Sequence, residues 1–569
     1  MPHPPYLPFA LGRGPARQAE RRIDRALRRP STYPHPAGRI ERIETHLSVV
    51  YLAGRYAYKR LKPVRLPFVD LARAAQRRRC ALAGYRLNQR LAGPLYLGVW
   101  TLLARGRRCA FGRSARPGRH RTASPAGEYV VRMRRFDADA LLSARCAHQA
   151  EAPADAQALA IALARDHRQA PRCREGDAAR AAAQCRSLLD EPDATVPDEA
   201  ALRAWYAGEL DRIEAALLRR HAEGFVRVCH GDLHLDNIVR WRQRVLMFDC
   251  IEFDERLRRI DVASDLAFAL MDYCAHGRGD CAHRLLSVWL AGTGDYAALA
   301  VLPGYFVYRA LVCALTARLR GEHAARARYL RIAASMAQSR RAARPRLLLC
   351  HGFSGSGKSA ASSVLAGMLG AIRLSSDVER KRMAGVAQAV RLPPPAYSET
   401  AIDAVYQRLL EQAASVLASA QTAIVDASFL RRRHRAAFLA LAERLGAEAA
   451  ILDFDASRET LAARLRARAR LARDPSDADT AVLARQCLQA EPLEPAEAAL
   501  AIRFDTGCDA GAYLCRRFWQ PLFAALPING AGDSPIRAGA ADPPAEHAHG
   551  AGTRRCAACG PLGVAAAQA

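Results

Sequence analysis

Lysine is almost missing from this sequence. Of 85 basic residues in 569, only Lys59, Lys62, Lys358 and Lys381 are lysines. An ammonium is a compact point charge that fits beside a phosphate where a guanidinium fork is too large. Each surviving lysine is therefore a candidate for work that arginine does not do. Long apolar runs are also lacking: the longest, 296–319, is broken by Arg309 and Arg318 and reads as buried helix, not a membrane span. No apolar segment follows a basic start near Met1, so no signal peptide is expected. The 16 cysteines lack the spacing of a disulfide framework, which favours a reducing, cytoplasmic setting. Cys556 and Cys559 form a lone C-x-x-C without the further ligands zinc needs.

What is abundant is arginine, and the formal net charge is +29. The arginines are spread along the chain, with no basic run interleaved with aromatics. That pattern reads as solvated surface and argues against a nucleic-acid partner.

The length calls for more than one core. Residues 1–40, rich in Pro and Arg, are expected to be poorly ordered. Around Gly54, HLSVVYLAG and RYAYKRL read as a hairpin. Helical periodicity follows over 68–91, strands over 96–103 and 128–136, and a basic loop lies between them. Residues 138–221 and 265–338 read as helical, separated by short strands at 225–229 and 245–248. A β-rich small lobe followed by a helical large lobe is thus expected over 41–338. SRRAARPR, within 339–346, reads as a linker. Alternating strand and helix signals over 347–527 imply a parallel α/β sheet. Residues 528–569 read as a disordered tail.

Gly352-Phe353-Ser354-Gly355-Ser356-Gly357-Lys358-Ser359 matches G-x-x-x-x-G-K-[ST] in full, after a strand (LLLC) and before a helix. Gly352, Ser354, Gly355, Ser356 and Gly357 would turn backbone N–H groups around phosphate oxygens, aided by the helix N-terminus. Lys358 would reach the β- and γ-phosphates, and Ser359 would ligate Mg²⁺. Asp377 and Asp426 each follow an apolar strand, and carboxylates at that edge of a parallel sheet face the ligand crevice. One would hold Mg²⁺ or its water, and the other would take a proton from a substrate hydroxyl. Each would also serve as a plain helix N-cap. Arg464, Arg466, Arg468, Arg470 and Arg473 recur at helical spacing. They suit a lid over the transferring phosphate and suit an ordinary solvated face equally well.

A second constellation lies upstream. His230-Gly231-Asp232-Leu233-His234-Leu235-Asp236-Asn237 is followed by Phe248-Asp249-Cys250-Ile251-Glu252-Phe253. An Asp and an Asn five residues apart on one loop, with a further Asp after a strand, fit phosphoryl transfer. Asp232 would accept the hydroxyl proton, and Asn237 and Asp249 would hold Mg²⁺.

On GFSGSGKS, SSDVERKRM and VDASF, the C-terminal part resembles small P-loop kinases of the gluconate kinase, chloramphenicol phosphotransferase and zeta-toxin group. That likeness implies Asp377 as the substrate-side acid or base, with Arg380 and Arg382 near it. On HGDLHLDNIV, FDCIEF and IDVASDLAFALMDY, the N-terminal part resembles aminoglycoside phosphotransferases and, more distantly, protein kinases. The whole is similar to bacterial two-domain proteins that join the two. This likeness makes Lys59 the lysine that contacts ATP phosphates and Asp265 the acid that braces the catalytic loop. It also implies a Glu from the following helix as partner of Lys59. None is present: the sequence reads Ala83-Gly84-Tyr85 there, and has no Glu between Glu44 and Glu128.

The expected fold class is therefore multidomain, α+β and α/β: a kinase-like two-lobe domain and a P-loop domain with a parallel sheet. The expected activity is ATP- and Mg²⁺-dependent phosphorylation of a small hydroxylated molecule. The rival is a regulatory nucleotide hydrolase with a degenerate kinase-like sensor. A nucleic-acid end kinase is favoured only by the charge.

Overall fold

The computed structural model describes residues 15–45, 47–66, 69–105, 108–112, 127–148, 151–173, 183, 185–187, 197–471, 476–526 and 535–536. The chain divides into two compact units. One comprises 1–289 and 301–337, the other 290–300 and 338–569. Among the described residues, no helix is long and apolar enough to cross a membrane.

The first unit opens with helix α1, Pro15–Leu27. Its sheet comprises β1 (Glu41–Glu44), β2 (Ser48–Ala53), β3 (Tyr56–Leu61), β6 (Tyr96–Arg105), β7 (Arg108–Phe111) and β8 (Gly127–Arg134). The strands are antiparallel in the order β1-β2-β3-β8-β6-β7. A short ribbon, β4 (Arg65–Leu66) with β5 (Val69–Asp70), precedes helix α2, Ala74–Ala92. The expected helix over 68–91 thus begins six residues late. The buried positions of α2 include Arg77, Cys80, Ala81, Gly84, Asn88 and Leu91, which share one face at helical spacing. The helical lobe contains Ala152–Gln169, Pro197–Ala222, Val262–Ala275 and Leu302–Leu319. Val262–Ala275 is buried along its whole length, consistent with its lack of a polar stripe. Two ribbons flank the HGDLHLDN and FDCIEF segments: β9 (Val226–Val228) with β12 (Arg259–Asp261), and β10 (Ile238–Trp241) with β11 (Arg244–Met247).

Two expectations are corrected here. Residues 15–40 are structured. Leu27, Tyr33 and Ala37 are buried in a cluster with Tyr51 and Tyr58 of the sheet. Arg60 of β3, wholly buried, donates to Glu20 of α1 at 2.9 Å. The Pro and Arg content hid these contacts because a buried guanidinium with a carboxylate partner looks, in sequence, like any surface arginine. The linker over 339–346 is also narrower than expected. The helix His323–Ala342 runs into it and β13 begins at Arg346, leaving 343–345. Alanine and arginine are strong helix formers, so RRA extends the helix.

The second unit is built on a five-stranded parallel sheet. Its strands are β13 (Arg346–His351), β14 (Ile372–Ser375), β15 (Ala423–Asp426), β16 (Glu448–Asp455) and β17 (Ala501–Asp505). The order is β14-β15-β13-β16-β17, and every pairing is parallel. β13 is central, and Leu347, Leu348, Leu349 and Cys350 are wholly buried, as a strand covered on both faces requires. The C-terminal edge of this strand leads into the phosphate-loop motif. The expected tail over 528–569 lies outside the described residues except Pro535 and Ile536, as do Cys556 and Cys559.

Candidate functional site

In the first unit, the loop between β9 and β10 is held from below by Asp265. Its carboxylate accepts the backbone N–H of His230 (3.1 Å) and of Gly231 (2.9 Å). His167 also bonds it, at 3.3 Å, while Trp289 Nε1 donates to the other nitrogen of that ring. His167, Cys229 and Asp265 lie close enough to hold a metal. Both imidazole nitrogens are already committed, however, so this cluster is a brace. Burial works against the Asp265 carboxylate, but His167, His230 and the Gly231 amide outweigh it and hold its pKa well below the usual range. Arg309 adds a second brace that sequence reasoning missed. It donates to the Gly231 carbonyl at 3.1 Å.

On that loop, Asn237 Nδ2 donates to the Asp232 carbonyl (2.9 Å) and carboxylate (3.1 Å). Burial would raise the Asp232 pKa, yet the imidazoles of His234 and His230 bring it down to about 2. His234 responds in the opposite sense: burial alone would lower it, and Asp232, Asp272 and Asp236 raise it to about 9. Asp249 follows β11 with φ of 65°, and its N–H donates to Tyr96 Oη at 3.1 Å. Its carboxylate is ion-paired with Lys59 of β3. The structure therefore brings Lys59, Asp232, Asn237 and Asp249 together. It also supplies a second carboxylate for Lys59: Glu252 Oε1 lies 3.7 Å from Nζ. The missing helix Glu left Lys59 without an expected partner, and two acids from one later turn take that place. Lys62 stands apart, paired with Glu44 at 3.0 Å.

In the second unit, the motif after β13 bends through Gly352, Gly355 and Gly357, at φ of 134°, 88° and 81°. A Cβ on Gly352 would fall 2.4 Å from the Phe454 carbonyl oxygen, and one on Gly357 would fall 2.5 Å from Tyr513 Oη. The helix Lys358–Leu369 starts directly behind. A cavity of about 870 Å³ opens at this edge, lined by Ser354, Gly355, Gly357, Lys358 and Ser359 on one side and Asp377 and Asp426 on the other. That volume lies at the large end for small-molecule sites. Gly352 and Ser356 lie behind the wall, the Ser356 hydroxyl 3.3 Å from Lys358 Nζ.

Asp426 is the last residue of β15, but the next helix begins only at Arg432. It is therefore not an N-cap, and it is instead ion-paired with Arg373. Asp377 lies in the first turn of the helix Ser376–Met383, where Ser375 holds the cap position. Burial raises its carboxyl pKa, opposed by a hydrogen bond from Ser476. Of the two arginines implied beside it, Arg380 lines the cavity, whereas Arg382 is paired with Glu379. Among the expected lid residues, Arg464 and Arg468 line the cavity and Arg466 is exposed outside it. The Arg470 side chain and Arg473 lie outside the described residues. His351, the last residue of β13 and next to the motif, bonds Asp453 at 2.7 Å.

Two family models match the chain: the phosphotransferase enzyme family over residues 115–302 and the AAA domain over 347–493. Uncharacterized proteins of Mycobacterium tuberculosis and Mycobacterium bovis are 31% identical to it over 453 residues. The match covers 75% of this chain and 86% of each relative. The chain belongs to their family. It consists of a phosphotransferase-family domain and a P-loop kinase-like domain. Solved structures similar to the P-loop domain include a gluconokinase from Sinorhizobium meliloti 1021, at 20% identity and a TM-score of 0.24 over 32% of this chain and 93% of that one. For the phosphotransferase-family domain they include aminoglycoside 2'-phosphotransferase-IIIa in its GDP complex, at 12% identity and 0.33 over 56% and 98%. A choline/ethanolamine kinase family protein from Mesorhizobium loti, at 13% identity and 0.35, matches over 55% and 94%. In both domains of this family member, the residues that sequence missed are the charged partners: Glu252 and Arg309 in one, Arg373 in the other. FDCIEF contained Glu252 in plain view, but nothing local tied it to a lysine 193 positions earlier.

Proposed function

We propose that the chain is an ATP- and Mg²⁺-dependent phosphotransferase with two nucleotide sites, acting on hydroxyl groups of small molecules. The observation that carries this is the convergence of Lys358, Ser359, Asp377 and Asp426 on one large cavity at the C-terminal edge of a parallel sheet. There the loop amides and the N-terminus of the helix Lys358–Leu369 would take the phosphate chain. Ser359 and Asp426 would hold Mg²⁺, which when bound neutralises phosphate charge. Asp377, its pKa raised by burial, suits the proton acceptor for the incoming hydroxyl.

In the phosphotransferase-family domain, Asp232, kept ionised by the imidazoles beside it, would be the proton acceptor on a braced loop. Asn237 and Asp249 would serve as Mg²⁺ ligands, and Lys59 as the phosphate contact. The alternative of a degenerate sensor drew its support from the missing helix Glu. Two carboxylates beside Lys59 weaken that support.

The test uses the full chain, labelled ATP and a panel of sugars, sugar acids, amino alcohols and aminoglycosides. Lys358→Ala is expected to abolish transfer to one acceptor class and Asp232→Asn to another. If neither variant lowers phosphate transfer, the proposal fails.

A further inference from the structure

Lys59 faces two carboxylates, and on the function proposed above only one of them can stay with it. On that function Asp249 would turn towards Mg²⁺. The other is Glu252, whose side chain is only 9% exposed and lies 3.7 Å away. Helix α2, which packs behind Lys59, contains no acidic residue in its 19 positions.

The turn that carries Glu252 is fastened to α2. The N–H of Cys250 donates to Asn88 Oδ1 at 3.1 Å, and Asn88 Nδ2 donates to the Gly84 carbonyl at 2.8 Å. The N–H of Ile251 donates to the His230 carbonyl at 3.2 Å, which ties the same turn to the Asp232 loop. Gly84 is where α2 meets Glu252. A Cβ there would lie 3.4 Å from both Cβ and Cγ of Glu252. The space left among Lys59, Gly84, Asn88 and Glu252 is about 10 Å³, enough for one water at most. One carboxylate position is thus reachable either from residue 84 of the helix or from residue 252 of the turn, and there is room for one occupant.

We propose that Glu252 is the positioning residue of Lys59, a carboxylate supplied from the turn after β11 into a place that Gly84 leaves open. Lysine orientation is thereby coupled to the turn that bears Asp249, three residues away, and not to a side chain of α2.

The experiment uses the full chain carrying Lys358→Ala, so that binding reports the first domain, with Mg²⁺ and a fluorescent ATP analogue (mant-ATP) as probe. Lys59→Ala is expected to weaken binding. The isosteric Glu252→Gln and the truncated Glu252→Ala should each weaken it roughly tenfold, the scale of coupling between contacting charged groups. Moving the carboxylate, as Gly84→Glu with Glu252→Ala, should return affinity to within about threefold of the parent, which a merely structural role for Glu252 does not foresee. If Lys59→Ala binds as the parent does, the nucleotide reading of this domain is wrong. If Lys59→Ala weakens binding but Glu252→Gln does not, that reading stands and the positioning role is overturned. A double variant that melts like the parent and stays as weak as Glu252→Ala also overturns it. Should the double variant fail to fold, Glu252→Gln decides alone.

Discussion

Lys358 turns its ammonium onto the carbonyl of Phe353, 2.6 Å away, inside the loop that carries it. Burial lowers its pKa to about 8, although Asp426 works in the other direction. A triphosphate favours the ammonium form and so raises that pKa in the complex. Between pH 8 and the higher value, the complex holds more protons than the free protein, so binding takes up a proton. Affinity at the P-loop should be flat below about pH 7 and fall by up to about tenfold per unit above pH 8. Titration calorimetry on a Lys59→Ala protein, in buffers of different ionisation enthalpy, reads the uptake directly. Equal affinities at pH 7 and pH 9.5 would contradict this account.

Gly357 combines a left-handed backbone with a close neighbour. Gly357→Ala places a methyl group 2.5 Å from Tyr513 Oη and costs about 1–2 kcal/mol in backbone conformation as well. Nucleotide binding at this site should be lost. Adding Tyr513→Phe removes the oxygen and should recover part of the thermal stability but not all of it. Full recovery would mean that the backbone term is absent.

The arginines of the helix Arg458–Leu471 should separate by position. Arg464 is held by the carbonyls of Thr506 (2.6 Å) and Cys508 (3.0 Å), Arg468 lines the cavity near Asp377, and Arg466 is exposed. Arg468→Ala should lower kcat by roughly 10², the scale of a lost electrostatic contact to the transferring group. Arg466→Ala should leave it unchanged, and Arg464→Ala should lower the melting temperature of the domain. Steady-state kinetics with any accepted substrate, alongside thermal melts, reads all three.

Glu20 is the partner that lets Arg60 be wholly buried, with Glu128 3.9 Å off on the other side. Glu20→Ala should destabilise the phosphotransferase-family domain by about 2 kcal/mol. This is below the full cost of breaking a buried pair because Glu128 remains and Glu20 is partly exposed. Removing residues 1–40 should cost more, since Leu27, Tyr33 and Ala37 leave the core with it. Urea unfolding of the full chain checks both. A truncated chain as stable as the parent would return these residues to the status their composition suggested.

The sequence alone was enough to locate both candidate sites, because each is carried by a contiguous stretch of backbone. Gly352 to Ser359 is a strand, a bend and a helix start, and Asp232 to Asn237 is a single loop. In each case the required chemistry and the required spacing are local, so they can be read without a fold. The same holds for β13, whose unbroken apolar run announces a strand covered on both faces.

What only the tertiary structure decided is which charges meet. Lys59 and Asp249 are 190 positions apart, Arg60 and Glu20 are 40, and Arg373 and Asp426 are 53. In a chain with 85 basic residues, no local feature marks the few arginines that are buried beside an acid. Those pairings follow from strand order and from how α1 and α2 pack on the sheet. A charge is indifferent to the distance along the chain at which its partner is found, and desolvation in the core rewards whichever partner the packing brings within reach.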